Sequence, residues 1–151
     1  MRFTVFSPLR ARVPNMLQPV LVLVAWSIVM LVWLYVRRLP MLFNYALSRP
    51  SLADGDATRS LAAPVQWPAD NYNNLMEQPT LFYALALGIY LSGQSNFDVE
   101  YLAWLYVALR ITHSIIQATV NIVVIRFCLF VISSGVLAAL CWAAIKLIFG
   151  F

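Results

Sequence analysis

The run Pro19–Val36, PVLVLVAWSIVMLVWLYV, decides the fold. It carries no charge and is long enough to cross a hydrocarbon core of roughly 30 Å as a helix. Three further mostly apolar runs follow, at Met76–Ser92, Tyr101–Ala118 and Ile122–Phe149. Of the 151 residues, 62% are hydrophobic and 11% charged, where a soluble domain averages about 25% charged, so the chain reads as an integral membrane protein. The runs are rich in Leu, Val, Ala and Ile and lack the alternating polar positions of a membrane barrel, which leaves helices to satisfy the backbone in lipid. The expected architecture is all-α: one integral membrane domain over residues 1–151, built as a four-transmembrane-helix bundle with a polar connection at 37–74.

Arg2, Arg10 and Arg12 precede the first run, as they would in a signal peptide. That run is too long for a typical apolar signal segment and ends in Tyr35-Val36-Arg37-Arg38 with no small-residue cleavage pattern, so it reads as a retained span. The formal charge of +4 comes from basic residues scattered around segment ends, a topological signal that does not resemble a nucleic-acid footprint. With four spans, Arg2, Arg10, Arg12 and Lys146 share one side, and Arg37, Arg38, Arg49, Arg59 and Arg126 share the other; this favours a cytoplasmic 37–74 connection. Cys128 and Cys141 lie on one expected helix, about 20 Å apart at the α-helical rise, and read as inert apolar side chains. With a single His and no thiol or carboxylate cluster at ligand spacing, no metal site is expected.

Within the 37–74 connection, Pro40–Leu47 is expected to lie at the interface as a short helix, and Asp54-Gly55-Asp56 to form a solvated turn. Trp67 and Tyr72 suit a membrane interface, and Asp70 reads as the N-cap of the helix that enters the bilayer. Trp26, Trp33, Trp104 and Trp142 read as packing or interface anchors, and Ser133-Ser134-Gly135 as a stretch that permits close helix approach.

Ionisable residues inside apolar runs cost roughly 2.5–3.5 kcal/mol each at a membrane centre, so they point to function or to a buried partner. Asn74 and Glu77 are three apart and expected to point inward; Arg110, His113, Gln117 and Asn121 follow one another as a polar stripe on the third span. Glu77 is the expected counter-charge for Arg110. On spacing alone the set serves either as a structural ion pair or as a ligand site.

The combination Asn74-Leu75-Met76-Glu77-Gln78-Pro79, then Arg110-Ile111-Thr112-His113, then Arg126 resembles the MAPEG family, the membrane-associated proteins of eicosanoid and glutathione metabolism. The resemblance covers the whole chain. It implies a homotrimer that binds glutathione between neighbouring subunits near the cytoplasmic face. Asn74, Glu77, Arg110 and His113 would line or brace the pocket, with Arg38 from the end of the first span, and Arg126 would sit near the sulfur. The chain departs from that pattern at Gln117, where several catalytic members carry a tyrosine, and at Phe127, where the prostaglandin E synthase branch has a serine. Asp70 and Asn73 stand where that branch has arginines, which argues against prostaglandin synthesis.

Two functions follow. One is a glutathione transferase or peroxidase acting on hydrophobic electrophiles or lipid hydroperoxides that arrive through the bilayer. The other is a non-catalytic membrane protein, lipid-binding or an accessory subunit of a larger membrane complex. Clustered arginines without a recognisable transit peptide suit a bacterial inner membrane or the endoplasmic reticulum, and the bacterial inner membrane is the expectation.

Overall fold

The computed structural model describes residues 15–48 and 63–151. They form four helices: α1 (Leu17–Ser48), α2 (Ala63–Ser92), α3 (Phe97–Thr119) and α4 (Val123–Phe149). The expected turn at Asp54-Gly55-Asp56 and the basic residues Arg2, Arg10, Arg12, Arg49 and Arg59 lie outside the described residues.

Helix α1 overruns its expected end at Val36. It continues to Ser48 with Pro40 inside it, so the 37–74 connection is helical at both ends and Pro40–Leu47 extends the first helix instead of forming a separate one. A proline costs a helix one N–H donor and crowds the preceding turn, but the rest of the ladder persists where neighbouring groups or water re-satisfy it. Helix α2 starts well before Asp70, so Asp70 is an exposed mid-helix residue and not an N-cap. Pro64 in its first turn explains the earlier start, because the N–H that proline lacks would have had no partner there.

Short turns reverse the chain between the last three helices. Asn96 caps α3 by accepting a hydrogen bond from the Val99 N–H at 3.0 Å, with Asp98 and Glu100 in the first turn complementing the helix dipole. At the far end the Val120 and Asn121 N–H groups both reach the Ile116 carbonyl, at 3.2 and 2.7 Å. Asn121 takes φ 50°, a left-handed conformation that asparagine tolerates better than most side chains. The polar stripe of α3 therefore ends in a turn at Asn121 and does not run on as helix.

Each helix buries one stripe at alternating spacings of three and four, the repeat of helices packed nearly antiparallel or parallel. On α1 it runs Val20, Leu23, Ser27, Met30, Leu34, with Met16 just ahead of the helix in line with it, and on α4 Ser133, Leu137, Leu140, Ala144. On α2 it begins with Asn71 and turns apolar at Leu75, Phe82, Ala86 and Ile89. On α3 it begins apolar with Val99, Ala103 and Tyr106 and turns polar at Arg110, His113 and Gln117. Because α2 and α3 are antiparallel, their apolar ends meet and their polar ends meet. Phe82 stacks on Tyr106 at 4.7 Å between ring centroids where the two regimes adjoin.

Among the described residues, α1 (over Leu17–Pro40) and α4 are long and apolar enough to cross a membrane. Helices α2 and α3 carry the polar stripes and contact both of them. Phe82 is fully buried and Leu81 65% exposed. Phe82→Ala should destabilise the bundle by on the order of 3 kcal/mol in a detergent unfolding titration, against less than about 0.5 kcal/mol for Leu81→Ala.

Candidate functional site

The polar ends of α2 and α3 are tied together by Arg110. Its Nη2 donates to the backbone carbonyl of Asn74 at 2.9 Å and to Asn74 Oδ1 at 3.0 Å. The Asn74 amide then donates to Gln117 Oε1 at 3.3 Å. One turn toward the helix start, Asn71 Nδ2 donates to Ser114 Oγ at 2.8 Å, and Trp26 Nε1 of α1 donates to the same hydroxyl at 3.0 Å. Gln78 Nε2 reaches Ser134 Oγ of α4 at 2.6 Å. All four helices are thus joined through side-chain hydrogen bonds, in a setting where unsatisfied polar groups are costly.

Glu77 is not Arg110's hydrogen-bonding partner. A three-residue step rotates Glu77 by about 60° from Asn74 around α2, enough to place it on the outside of the bundle, where it is exposed. The expected inward Asn74–Glu77 face is split: Asn74 inward, Glu77 outward. Arg110 is fully buried, and its Nε and Nη1 have no protein partner in the described residues.

In front of this network lies a cavity of ≈ 250 Å³ lined by Asn74, His113, Val123, Arg126, Phe127 and Phe130. Arg126 reaches it from the start of α4, held by a hydrogen bond from Nη1 to Asn121 Oδ1, while its buried Nε has no partner among the described residues. His113 tilts against Phe130 at 6.5 Å between ring centroids. Of the residues singled out from sequence, Asn74, His113 and Arg126 line this cavity, and Arg110 and Gln117 brace its Asn74 wall from behind. Glu77 sits outside, and Arg38, half-buried on α1, is not among the lining residues. A larger cavity of ≈ 510 Å³ lies around Phe97, Asp98, Glu100, Tyr101 and Trp104, at the opposite end of α3; among the described residues no cation lines it, and it is remote from the network.

Sequence reasoning missed Asn71, Ser114, Trp26 and the Gln78–Ser134 pair. Asn71 precedes Asn74 by three and Ser114 follows Arg110 by four, the spacing already used to find the stripe, so the signal for those two was present. Nothing in the apolar first run marked Trp26 as a hydrogen-bond donor across the bundle. In Ser133-Ser134-Gly135 the serines face the bundle, whereas Gly135 is exposed and a Cβ added there would meet nothing within 4 Å.

The fold and site accord with the chain's relationships: the MAPEG family model matches residues 16–146, and the chain belongs to this family of membrane proteins. It is an integral membrane protein. Neither the curated proteins nor the solved structures yield a match.

The cavity's donor set fits the sulfur end of a thiol ligand: Arg126 offers a spare N–H and a positive charge, and His113 a second polar group. At ≈ 250 Å³ it falls just below the roughly 300–1,000 Å³ of ordinary ligand sites, so a ligand larger than this would extend beyond it. Asn74→Leu should cost about 1.5–3 kcal/mol in an unfolding titration by stripping a side-chain acceptor from a buried cation. Combining it with Arg110→Met should recover part of that loss, a coupling that a double-mutant cycle reads directly.

Proposed function

We propose that this protein is a glutathione-dependent transferase or peroxidase acting on hydrophobic electrophiles or lipid hydroperoxides. The observation that carries the reading is the meeting of Arg126 and His113 on one cavity whose remaining lining includes Val123, Phe127 and Phe130. A free thiol has a pKa near 8.5 and is mostly protonated at neutral pH; an adjacent guanidinium favours the thiolate, which is the nucleophile. The thiol proton passes to solvent, the sulfur lone pair forms the new bond to the electrophilic carbon, and the leaving group departs with its bonding pair. In a conjugate addition, the resulting carbanion is protonated by water. With a hydroperoxide, sulfur attacks the terminal peroxide oxygen, the O–O bond breaks and the alkoxide leaves with its bonding pair and takes a proton from water, and a second glutathione then converts the sulfenic acid to the disulfide with release of water. The apolar lining suits a substrate that enters from the bilayer.

In this reading His113 and Asn74 hold the ligand beside Arg126, while Arg110 and Gln117 keep Asn74 in place. Glu77 and Arg38 act at the margin, where a second protomer of a homotrimer would complete the site. The exposure of Glu77 supports this, because a carboxylate at membrane depth needs a partner or a wet cleft. The host is a bacterial inner membrane, with the Arg37-bearing end toward the cytoplasm.

One observation favours a second reading. Asn74, Arg110 and Gln117 hydrogen-bond to one another without a ligand, as a purely structural network in a lipid-binding or accessory subunit would.

Calorimetry of glutathione binding to detergent-purified protein, with an ultraviolet difference spectrum in the thiolate band, separates the two. The expected result is micromolar to low-millimolar binding with a thiolate signal that Arg126→Ala removes while leaving assembly size and helicity unchanged. Folded, assembled protein with neither binding nor thiolate would leave the structural reading standing.

A further inference from the structure

The turn that delivers Arg126 to the cavity is built on one residue. Asn121 takes φ 50°, and its N–H is held on the Ile116 carbonyl at 2.7 Å, so the backbone here is pinned to the end of α3. From that point its half-buried side chain turns to α4, and Oδ1 accepts a hydrogen bond from Arg126 Nη1. Arg126 sits in the first turns of α4, where its own N–H reaches the Ile122 carbonyl at 3.1 Å. Both ends of the contact are therefore anchored in backbone. Nη1 is taken by Asn121, whereas Nε is buried with no partner among the described residues.

Apart from glycine, asparagine and aspartate tolerate the left-handed conformation best. Aspartate would hold an arginine more firmly, because a charge-assisted hydrogen bond is roughly twice as strong as a neutral one and an anion at the start of α4 would complement the helix dipole. It would also cancel the guanidinium's charge. Asparagine offers an oxygen at the same place without a charge, so Arg126 is aimed and remains a full cation. The other ionisable groups at this end of the bundle, among the described residues, are Arg37 and Arg38 of α1, Asp70 and Glu77 of α2, and Arg110 and His113 of α3; of these only His113 lines the cavity.

We propose that Asn121 is a positioning residue for the thiolate site: its neutral oxygen fixes Arg126 Nη1 and leaves the charge and the Nε donor of the guanidinium to the ligand's sulfur. The inference rests on the thiol-binding reading above and adds a residue that acts on the sulfur only through Arg126.

Glutathione titrated into full-length, detergent-purified wild type, Asn121→Asp and Asn121→Gly tests the role. Calorimetry gives affinity, the pH dependence of the thiolate band gives the acidity of the bound thiol, and assembly size and an unfolding titration report the fold. The surrounding ionisable groups are common to all three proteins, so differences report position 121. In wild type the bound thiol ionises at least about one unit below the roughly 8.5 of a free thiol. Asn121→Asp keeps the turn and the hydrogen bond, so its unfolding midpoint holds or rises, yet its thiolate fraction at a fixed pH falls roughly tenfold as the neighbouring positive charge is cancelled. Asn121→Gly keeps the turn and loses the oxygen; affinity and thiolate fraction each fall by about threefold or more, because the cation survives without being aimed. A residue serving the turn alone would move neither thiol readout. A bound thiol equally acidic in wild type and Asn121→Asp, or Asn121→Gly indistinguishable from wild type, would overturn the positioning role while leaving the thiol site intact. Loss of fold in Asn121→Asp would also count against it, since a carboxylate should strengthen the contact. Absence of binding and of thiolate in folded, assembled wild type would overturn the thiol site and the positioning role together.

Discussion

The bundle is organised by a cation that has to be buried. Arg110 has no exposure, and a charge in that position is tolerated only when oriented dipoles replace the water it has lost. Here the dipoles come from one residue: Asn74 gives both its backbone carbonyl and its side-chain oxygen to Nη2. A backbone carbonyl inside α2 is already a helix acceptor, so the guanidinium shares it, and the register of α2 against α3 is fixed to within a hydrogen bond. Had Arg110 paired with a flexible carboxylate on the surface, two long side chains could have kept contact over a range of helix offsets. The short amide allows no such slack.

From that lock the rest of the polar end follows. Asn74, turned toward Arg110 by its oxygen, points its amide nitrogen at Gln117, and the same offset brings Asn71 to Ser114. Both helices then present their remaining polar groups at one end of the bundle, where the three-residue turn Val120–Ile122 delivers Arg126 from α4. A longer turn would free the start of α4. With the left-handed Asn121 closing the turn and its side chain accepting from Arg126, the same residue shapes the backbone and aims the guanidinium.

Much of this was legible in the sequence, because hydropathy and spacing are properties of single helices. The four runs stand out, and the α3 stripe reads correctly from Arg110 through Gln117. The failures have a common source in rotations and offsets between helices. Asn74 and Glu77 look like a pair on one face, yet 60° around the axis decides which of them meets α3, and the packing stripe through Asn71, Leu75 and Phe82 chose Asn74. Helix ends were misplaced where prolines sit, since Pro40 and Pro68 suggest breaks to local rules while the surrounding turns hold.

The division of labour among the helices constrains how such a site can work. Helices α1 and α4 are apolar enough to cross a membrane, whereas α2 and α3 owe their lower hydropathy to the residues that build the network. Apart from Asp98 in its first turn, helix α3 turns its ionisable and amide groups into the bundle, so most of its outer surface remains compatible with lipid. Helix α2 does not: Asp70, Asn73, Glu77 and Thr80 recur on its exposed side at helical spacing, next to the wall formed by Asn74. Lipid is a poor neighbour for that strip, and its charges remain inexpensive only against water or protein. The cavity thus has phenylalanines on its α4 side, and the acidic strip of α2 begins next to Asn74, its α2 wall, so two surfaces of opposite character adjoin it. The contact that buries Arg110 is what turns Asn74 inward and leaves Asp70 and Glu77 outside.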